Sequence, residues 1–308
     1  MICTRLTLTV NWINSFMPIS DDLLARAQRY PKQKELGQNF LVDSAKLDAI
    51  VSASGLDPER DVVIEIGPGI GFLTERLVNQ VYRLFAVELD ANAITSLNIL
   101  KANHKNFDFI RGDFLSLSIA QILGTCPELI AEIQSGSRPK LKIVANIPYQ
   151  ISTRILLHIL GEMGSDNPNR HLVGEINILV QKEFAERLCA QPGTKAYGAI
   201  TLLMRYWAEV FTLVDVPKEC FRPIPKVDSC FIKIKLRPEP LVRAHNPKQL
   251  RRFIKAIFAN RRKVLSNGLM AGGYTPEQIK LLDLPEKLRG ETLELGEIAR
   301  FVDILYPP

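Results

Sequence analysis

The chain has 308 residues, 46% of them apolar and 23% charged, a globular balance that argues against intrinsic disorder. Net charge is +6 with a pI near 9.0, and no run of about 18 uncharged apolar residues occurs, so a membrane-spanning helix is excluded. The five cysteines, at 3, 126, 189, 220 and 230, are odd in number and form no CxxC pair; with four scattered histidines they suggest reduced thiols, no disulfide framework and no metal centre.

Residues 1–25 are too interrupted by Thr and Asn for a signal-peptide core and too poor in Arg for a transit peptide. The reading treats 1–29 as a disordered or mis-assigned leader, with Met17 an equal candidate for the start. A helix is expected over 43–54 with Asp43 as its cap, then an apolar strand at Val62–Ile66, a Gly-rich turn and a helix over 72–80. Short β-branched runs follow at 84–88, 107–110, 141–145 and 176–180. Helical stretches at 91–102, 117–134, 152–163 and 182–190 separate them. Strand–helix alternation at this spacing predicts an α/β fold with a doubly wound parallel sheet. Runs at 210–216 and 229–236, joined by a Pro-rich connection, predict an antiparallel pair closing the sheet. Pro238 and Pro240 mark a linker, and the remainder is helical. The expected domains are therefore 30–237 and a small all-helical domain over 238–308.

The sharpest local signal is Glu65-Ile-Gly67-Pro-Gly69-Ile-Gly71, between a strand and a helix. Glycines there let a ligand approach the backbone and permit a sharp turn. Glu88 ends the next strand, where a carboxylate can accept both ribose hydroxyls of a nucleoside. The spacing is GxGxG rather than GxGxxG, and the loop starts with an acid. A pyrophosphate is poorly served by that acid, whereas a cofactor bearing an ammonium group is well served. S-adenosylmethionine therefore fits better than NAD. Asp113, after the third strand, can accept the adenine amino hydrogen of the same cofactor.

Asn146-Ile147-Pro148-Tyr149 follows the fourth strand. An exocyclic adenine amine is a poor nucleophile because its lone pair is delocalised into the ring. The side-chain oxygen of Asn146 and the carbonyl of Pro148 can accept its two hydrogens and free that lone pair. Tyr149 can stack on the base and stabilise the developing positive charge. Phe221, in a Pro-stiffened connection, is a second candidate to stack on a flipped base.

Together these segments resemble the ribosomal RNA small-subunit adenine dimethyltransferases, the KsgA type, over about residues 30–308. The resemblance also rests on Leu36-Gly37-Gln38-Asn39-Phe40-Leu41, Gln181-Lys182-Glu183, Tyr197-Gly198, Phe221-Arg-Pro-Ile-Pro-Lys-Val-Asp-Ser229 and Asn260-Arg-Arg-Lys-Val-Leu265. It implies a Rossmann-like class I methyltransferase domain that uses S-adenosylmethionine. Cofactor contacts would come from Asn39, Leu41, Gly67, Glu88, Asp113 and Asn146, and chemistry from Asn146, Pro148, Tyr149 and Phe221. The implied substrate is a pair of adjacent adenosines in the terminal hairpin of small-subunit rRNA, within an immature subunit. A cytoplasmic monomer without metal or membrane partner is expected. Three features depart from the family: a longer 115–140 segment, Ala199 where an Arg often follows Tyr-Gly, and the 1–25 leader, for which the resemblance offers no counterpart.

Between Pro240 and Pro276 there is no acid, against Arg243, Lys248, Arg251, Arg252, Lys255, Arg261, Arg262 and Lys263. On a helical wheel Lys248, Arg251, Arg252, Lys255 and Arg262 share an arc opposite the apolar residues. Asn246-Pro247 is a helix start, and a break near Asn260 would divide the segment. A basic face of this kind predicts contact with RNA phosphates. The competing readings are a large-subunit rRNA dimethyltransferase of the resistance type, a non-catalytic ribosome-assembly or transcription factor on the same fold, and a dinucleotide oxidoreductase.

Overall fold

The computed structural model describes residues 20–31, 37–261 and 263–308. Its strands are β1 (Phe40–Leu41), β2 (Val62–Ile66), β3 (Arg83–Glu88), β4 (Phe107–Arg111), β5 (Leu141–Asn146), β6 (Val173–Gln181), β7 (Ala208–Val216), β8 (Phe221–Arg222) and β9 (Ser229–Leu236). Seven of them form one sheet in the order β4-β3-β2-β5-β6-β9-β7. Pairing is parallel from β4 to β6 and antiparallel between β6 and β9. β2 is buried at all five positions, as a central strand covered on both faces must be, and its apolar run is continuous rather than alternating for that reason. The expected α/β fold is present, and the two runs expected to pair at the end of the sheet, β7 and β9, are neighbours at its edge.

The helices between strands begin and end where local chemistry dictates. Asp43 accepts from the Lys46 amide at 2.9 Å to cap Ser44–Ser54, and Gly55 closes that helix in the left-handed region. The expected helix over 117–134 is two helices, Ile119–Ile122 and Pro127–Ser135. Pro127 lacks the amide needed to continue the first and instead starts the second.

The leader expectation requires correction at its C-terminal end. Asp21–Arg29 is a helix whose Leu23 and Ala27 lie in the hydrophobic core. Arg26 holds it there, donating to Glu75 at 2.6 Å and to the Ile70 carbonyl at 3.3 Å. Two buried positions in nine residues are too few to register as a periodic pattern. The rest of the leader, residues 1–19 with Met17 among them, lies outside the described residues, as do Leu36 and Arg262.

The chain divides into two units, and the division is not the simple cut at the 237/238 linker expected from sequence. The second unit contains residues 160–167 and 186–210 besides 237–308. Pro238 and Pro240 do mark a crossing, but earlier segments join the helical unit through long-range contacts that composition does not signal. Tyr197 is fully buried there, its hydroxyl donating to the Leu293 carbonyl at 2.8 Å and its ring edge-on to Phe258. Asn246 caps Pro247–Ala259 by accepting from the Gln249 amide at 3.1 Å, and the helix stops beside Asn260 as expected. Leu250, Phe253, Ile254 and Ile257 are buried along its apolar side.

The basic block of this unit is not uniformly outward. Arg251 is ion-paired with Glu162, Arg261 donates to Glu291 at 2.8 Å and to the Thr194 carbonyl at 2.7 Å, and Arg252 lies over the Tyr274 ring at 5.2 Å. Lys248, Lys255 and Lys263 are exposed.

Candidate active site

In the first unit the strand order reverses between β2 and β5, and open α/β sheets bind ligands outside the carboxyl ends of strands at such a switch point. A cleft of about 330 Å³ lies there. Gly67 follows β2, Glu88 ends β3, Asp113 follows β4 and Asn146 ends β5. All four line the cleft together with Asn39, Leu41, Pro148 and Tyr149.

The glycine loop has the conformations its sequence requires. Gly67, Gly69 and Gly71 have φ of +66°, +57° and +88°, values that disfavour any side chain. A Cβ on Gly69 would stand 2.9 Å from the Phe40 ring, and one on Gly71 would stand 2.5 Å from a Leu100 methyl. At Gly67 a Cβ would meet nothing within 4 Å, so its bare backbone faces open cleft.

Two carboxylates flank this loop. Glu88 is 5% exposed and accepts from the amides of Gly69 and Asp90, both at 2.7 Å. Burial pushes its carboxyl up, with those two amides acting in the opposite direction. Glu65 is 1% exposed. Burial raises its carboxyl to about 8, against the hydroxyl of Thr74, which donates to it at 2.7 Å; the nearby Glu88 raises it further. Asp113 is exposed, and one of its oxygens caps the following short turn by accepting from the Leu115 amide at 2.9 Å.

The segment after β5 is held from two sides. Asn146 donates from Nδ2 to the main-chain carbonyl of Asn39 at 3.1 Å, while Asn39 turns its own side-chain amide to the Gly37 carbonyl at 3.0 Å. The Pro148 carbonyl accepts from the Ile151 amide at 3.2 Å, which leaves one of its two lone pairs for another donor. The Tyr149 hydroxyl is 2.6 Å from Ser229 Oγ at the start of β9, and burial pushes its ionisation upward. That tether fixes the position of the hydroxyl end of the ring.

Phe221 is not brought to the cleft. It lies in β8 opposite Leu41 in a two-stranded antiparallel ladder, is fully buried in the core and is absent from the cleft lining. An aromatic at a strand end has packed inward, so its expected place beside a flipped base is not the one observed.

Several residues at the site carried no assigned role in the sequence reading. Asp90 accepts from the Tyr30 hydroxyl at 2.6 Å, from Gln38 Nε2 at 2.7 Å and from the Asn92 amide at 2.9 Å. Ser229 positions Tyr149, and Thr74 binds Glu65. The only signal available for Asp90 was an acid two residues beyond Glu88. For Ser229 it was a polar residue opening an apolar strand.

The cleft fits S-adenosylmethionine on the residues present. It offers the open backbone of Gly67, a buried acid at the ribose position and a second acid for an ammonium group. It also offers the buried Gln38 Oε1, which has no donor among the described residues. Among the described residues, no group of three or more His, Cys, Asp or Glu side chains could hold a metal ion, and no helix is long and apolar enough to cross a membrane.

A family model described as ribosomal RNA adenine dimethylase matches residues 30–300. A protein of Picosynechococcus named ribosomal RNA small subunit methyltransferase A is 41% identical over 268 residues, covering 85% of this chain and 93% of that protein. One of the same name from Shouchella clausii is 35% identical over 296 residues, covering 94% and 95%. Among solved structures, a dimethyladenosine transferase from Plasmodium falciparum has a TM-score of 0.63 at 23% identity, over 84% of this chain and 94% of that one. The 23S rRNA methyltransferase ErmE has a TM-score of 0.60 at 21% identity, over 86% and 99%. At those identities the two structures speak to the fold alone.

Proposed function

Because the chain belongs to the ribosomal RNA adenine dimethylase family, we propose that it is an S-adenosylmethionine-dependent enzyme that dimethylates the exocyclic amines of two adjacent adenosines in the 3′-terminal hairpin of small-subunit rRNA. The observation that carries this reading is the convergence of Gly67, Glu88, Asn146, Pro148 and Tyr149 on one cleft at the sheet's switch point. When bound there, S-adenosylmethionine supplies an electrophilic methyl group. Asn39, Leu41, Gly67, Glu88, Asp113 and Asn146 are the residues that would hold it, Glu88 through the ribose and Asp113 through the adenine.

The chain's own part is positioning and electrostatic stabilisation. Asn146 Oδ1 and the Pro148 carbonyl accept the two amine hydrogens, turning the nitrogen lone pair out of conjugation. Tyr149 offers a ring whose hydroxyl end Ser229 anchors, and its π face favours the positive charge that grows on the nitrogen. No covalent enzyme intermediate is required, and the released proton leaves to water.

The choice of the small subunit over the large is supported by the names of relatives that are 35% and 41% identical over most of both chains. An immature subunit as substrate, a monomeric state, a cytoplasmic location and RNA contact through the helical unit belong to the same proposal. The test is methyl transfer from labelled S-adenosylmethionine to immature small subunits and, separately, to large subunits, with nucleoside analysis of the product. Dimethyladenosine in the small subunit is expected. Label confined to large subunits would favour the resistance-type reading, and absence of label in either would favour a non-catalytic assembly factor.

A further inference from the structure

Asp90 lies behind the lining of the cleft, bonded to two residues that line it, Glu88 and Gln38. Its amide donates to Glu88 Oε1 at 2.7 Å, so it is joined directly to the ribose acid. Its carboxylate is 1% exposed and gathers Tyr30, Gln38 and the Asn92 amide. Burial pushes this carboxyl up, but the hydrogen bonds from Tyr30, Gln38 and Asn92 outweigh that and leave it below its ordinary value. Tyr30 in turn is driven far above its ordinary value by burial and by the Asp90 carboxylate, so it remains the proton donor of the pair.

Of the two side-chain donors, Gln38 belongs to the stretch that lines one wall of the cleft, residues 37–41, and Tyr30 reaches the same carboxylate from the preceding helix end. Within that stretch Phe40 packs edge-on to Tyr30, with ring centroids 5.3 Å apart, and closely over Gly69. Its neighbour Asn39 presents the main-chain carbonyl that orients Asn146. A continuous path of named contacts therefore runs from Glu88 through Asp90 and Gln38 to Asn39 and Asn146.

We propose that Asp90, with Tyr30 and Gln38, is a positioning latch that holds the 37–41 wall closed, so that cofactor binding at Glu88 is coupled to the orientation of Asn146 at the target amine. The inference rests on the methyltransferase reading above and adds to it a group of residues that touch neither reacting atom. A buried carboxylate with three donors among the described residues is a rigid anchor. A wall displaced by about 1 Å at a methyl-transfer geometry is enough to cost on the order of a hundredfold in rate.

The test uses the full chain with Tyr30→Phe, Gln38→Leu, their double variant and Asp90→Asn. Hydrogen exchange of residues 37–41 is measured with and without S-adenosylmethionine, and single-turnover transfer to immature small subunits is measured at saturating cofactor. Wild type is expected to gain protection over 37–41 on binding. Tyr30→Phe and Gln38→Leu should lose that gain and lose about tenfold or more in rate, with rates compared well below the melting temperature of each variant. The double variant should fall no further than Asp90→Asn, because all act through one carboxylate. Wild-type rate and protection in the single variants would overturn the latch. So would a rate defect that raising the cofactor concentration alone repairs, since that reduces the network to affinity. Protection gained by wild type and lost by the variants, in a protein that transfers no methyl to small subunits, would support the latch and reject the substrate reading.

Discussion

Asn146 donates from its side-chain amide to the main-chain carbonyl of Asn39, 3.1 Å away. An amide has one donor end and one acceptor end, so committing Nδ2 to Asn39 turns Oδ1 into the free acceptor of the pair. The partner is a backbone atom, which no substitution at position 39 deletes. The two asparagines are therefore expected to fail differently.

Asn146→Ala removes the acceptor that meets the amine as its nitrogen becomes positive. Its loss should appear in the chemical step, by roughly 10²–10³-fold at saturating cofactor. Asn39→Ala keeps the carbonyl that orients Asn146 and should lose mainly cofactor affinity. Single-turnover rates and calorimetry on both variants check the contrast. Equal losses of rate would mean that the Asn39 side chain, not its backbone, organises the target end.

Tyr149 and Ser229 form the second pair to separate. Tyr149→Ala deletes the stacking face, worth about 1–3 kcal/mol per base, and should weaken target capture as well as transfer. Tyr149→Phe keeps the face and loses the 2.6 Å tether to Ser229. It should retain much of the activity, and Ser229→Ala should match it. A Tyr149→Phe enzyme as inactive as Tyr149→Ala would assign the essential role to the hydroxyl and reject stacking.

Glu65 gives a pH prediction. Its carboxyl is raised from an ordinary 4.5 to about 8, chiefly by burial. The folded state therefore keeps a proton that the unfolded chain releases, and this group's contribution to stability falls as pH rises from about 4.5 to about 8, then levels off. Glu65→Gln should flatten that segment of the stability profile. A cofactor ammonium favours the carboxylate, so binding near pH 7 should expel a proton. Titration calorimetry in two buffers of different ionisation enthalpy would detect it in the wild type and not in Glu65→Gln. Buffer-independent heats in the wild type would remove Glu65 from the ammonium site.

Much of this site was legible because its residues end strands. β2 matches the expected strand residue for residue, and the expected strand–helix alternation put Gly67, Glu88, Asp113 and Asn146 at or just after the carboxyl ends of four strands, while the order of those strands in the sheet is set by pairing that spacing did not reveal. Sequence did not reveal what crosses between distant segments. The Tyr30–Asp90 and Tyr149–Ser229 bonds join residues 60 and 80 positions apart, and no periodicity encodes such pairs. The inward packing of Phe221 was hidden for the same reason: β1 and β8 have two residues each, too few to show an alternating pattern. Membership of 186–210 in the helical unit was equally hidden, because it rests on contacts such as Tyr197 with Leu293.

The basic unit requires a choice of residues that the helical wheel alone would have made badly. Reversing Arg251 would set two carboxylates against each other at Glu162, and altering Arg261 would break its bond to Glu291. Either change tests folding as much as RNA binding. Lys248, Lys255 and Lys263 are exposed, with no ion pair among the described residues, so reversing them to Glu leaves the unit's own bonds intact. If they meet phosphates, the triple variant should bind small subunits more weakly, with a slope of log affinity against log salt flatter by about two to three. Its affinity for S-adenosylmethionine and its melting temperature should match wild type. Filter binding across a salt series checks the slope. An unchanged slope would make these lysines a solvated surface and move the RNA contact elsewhere.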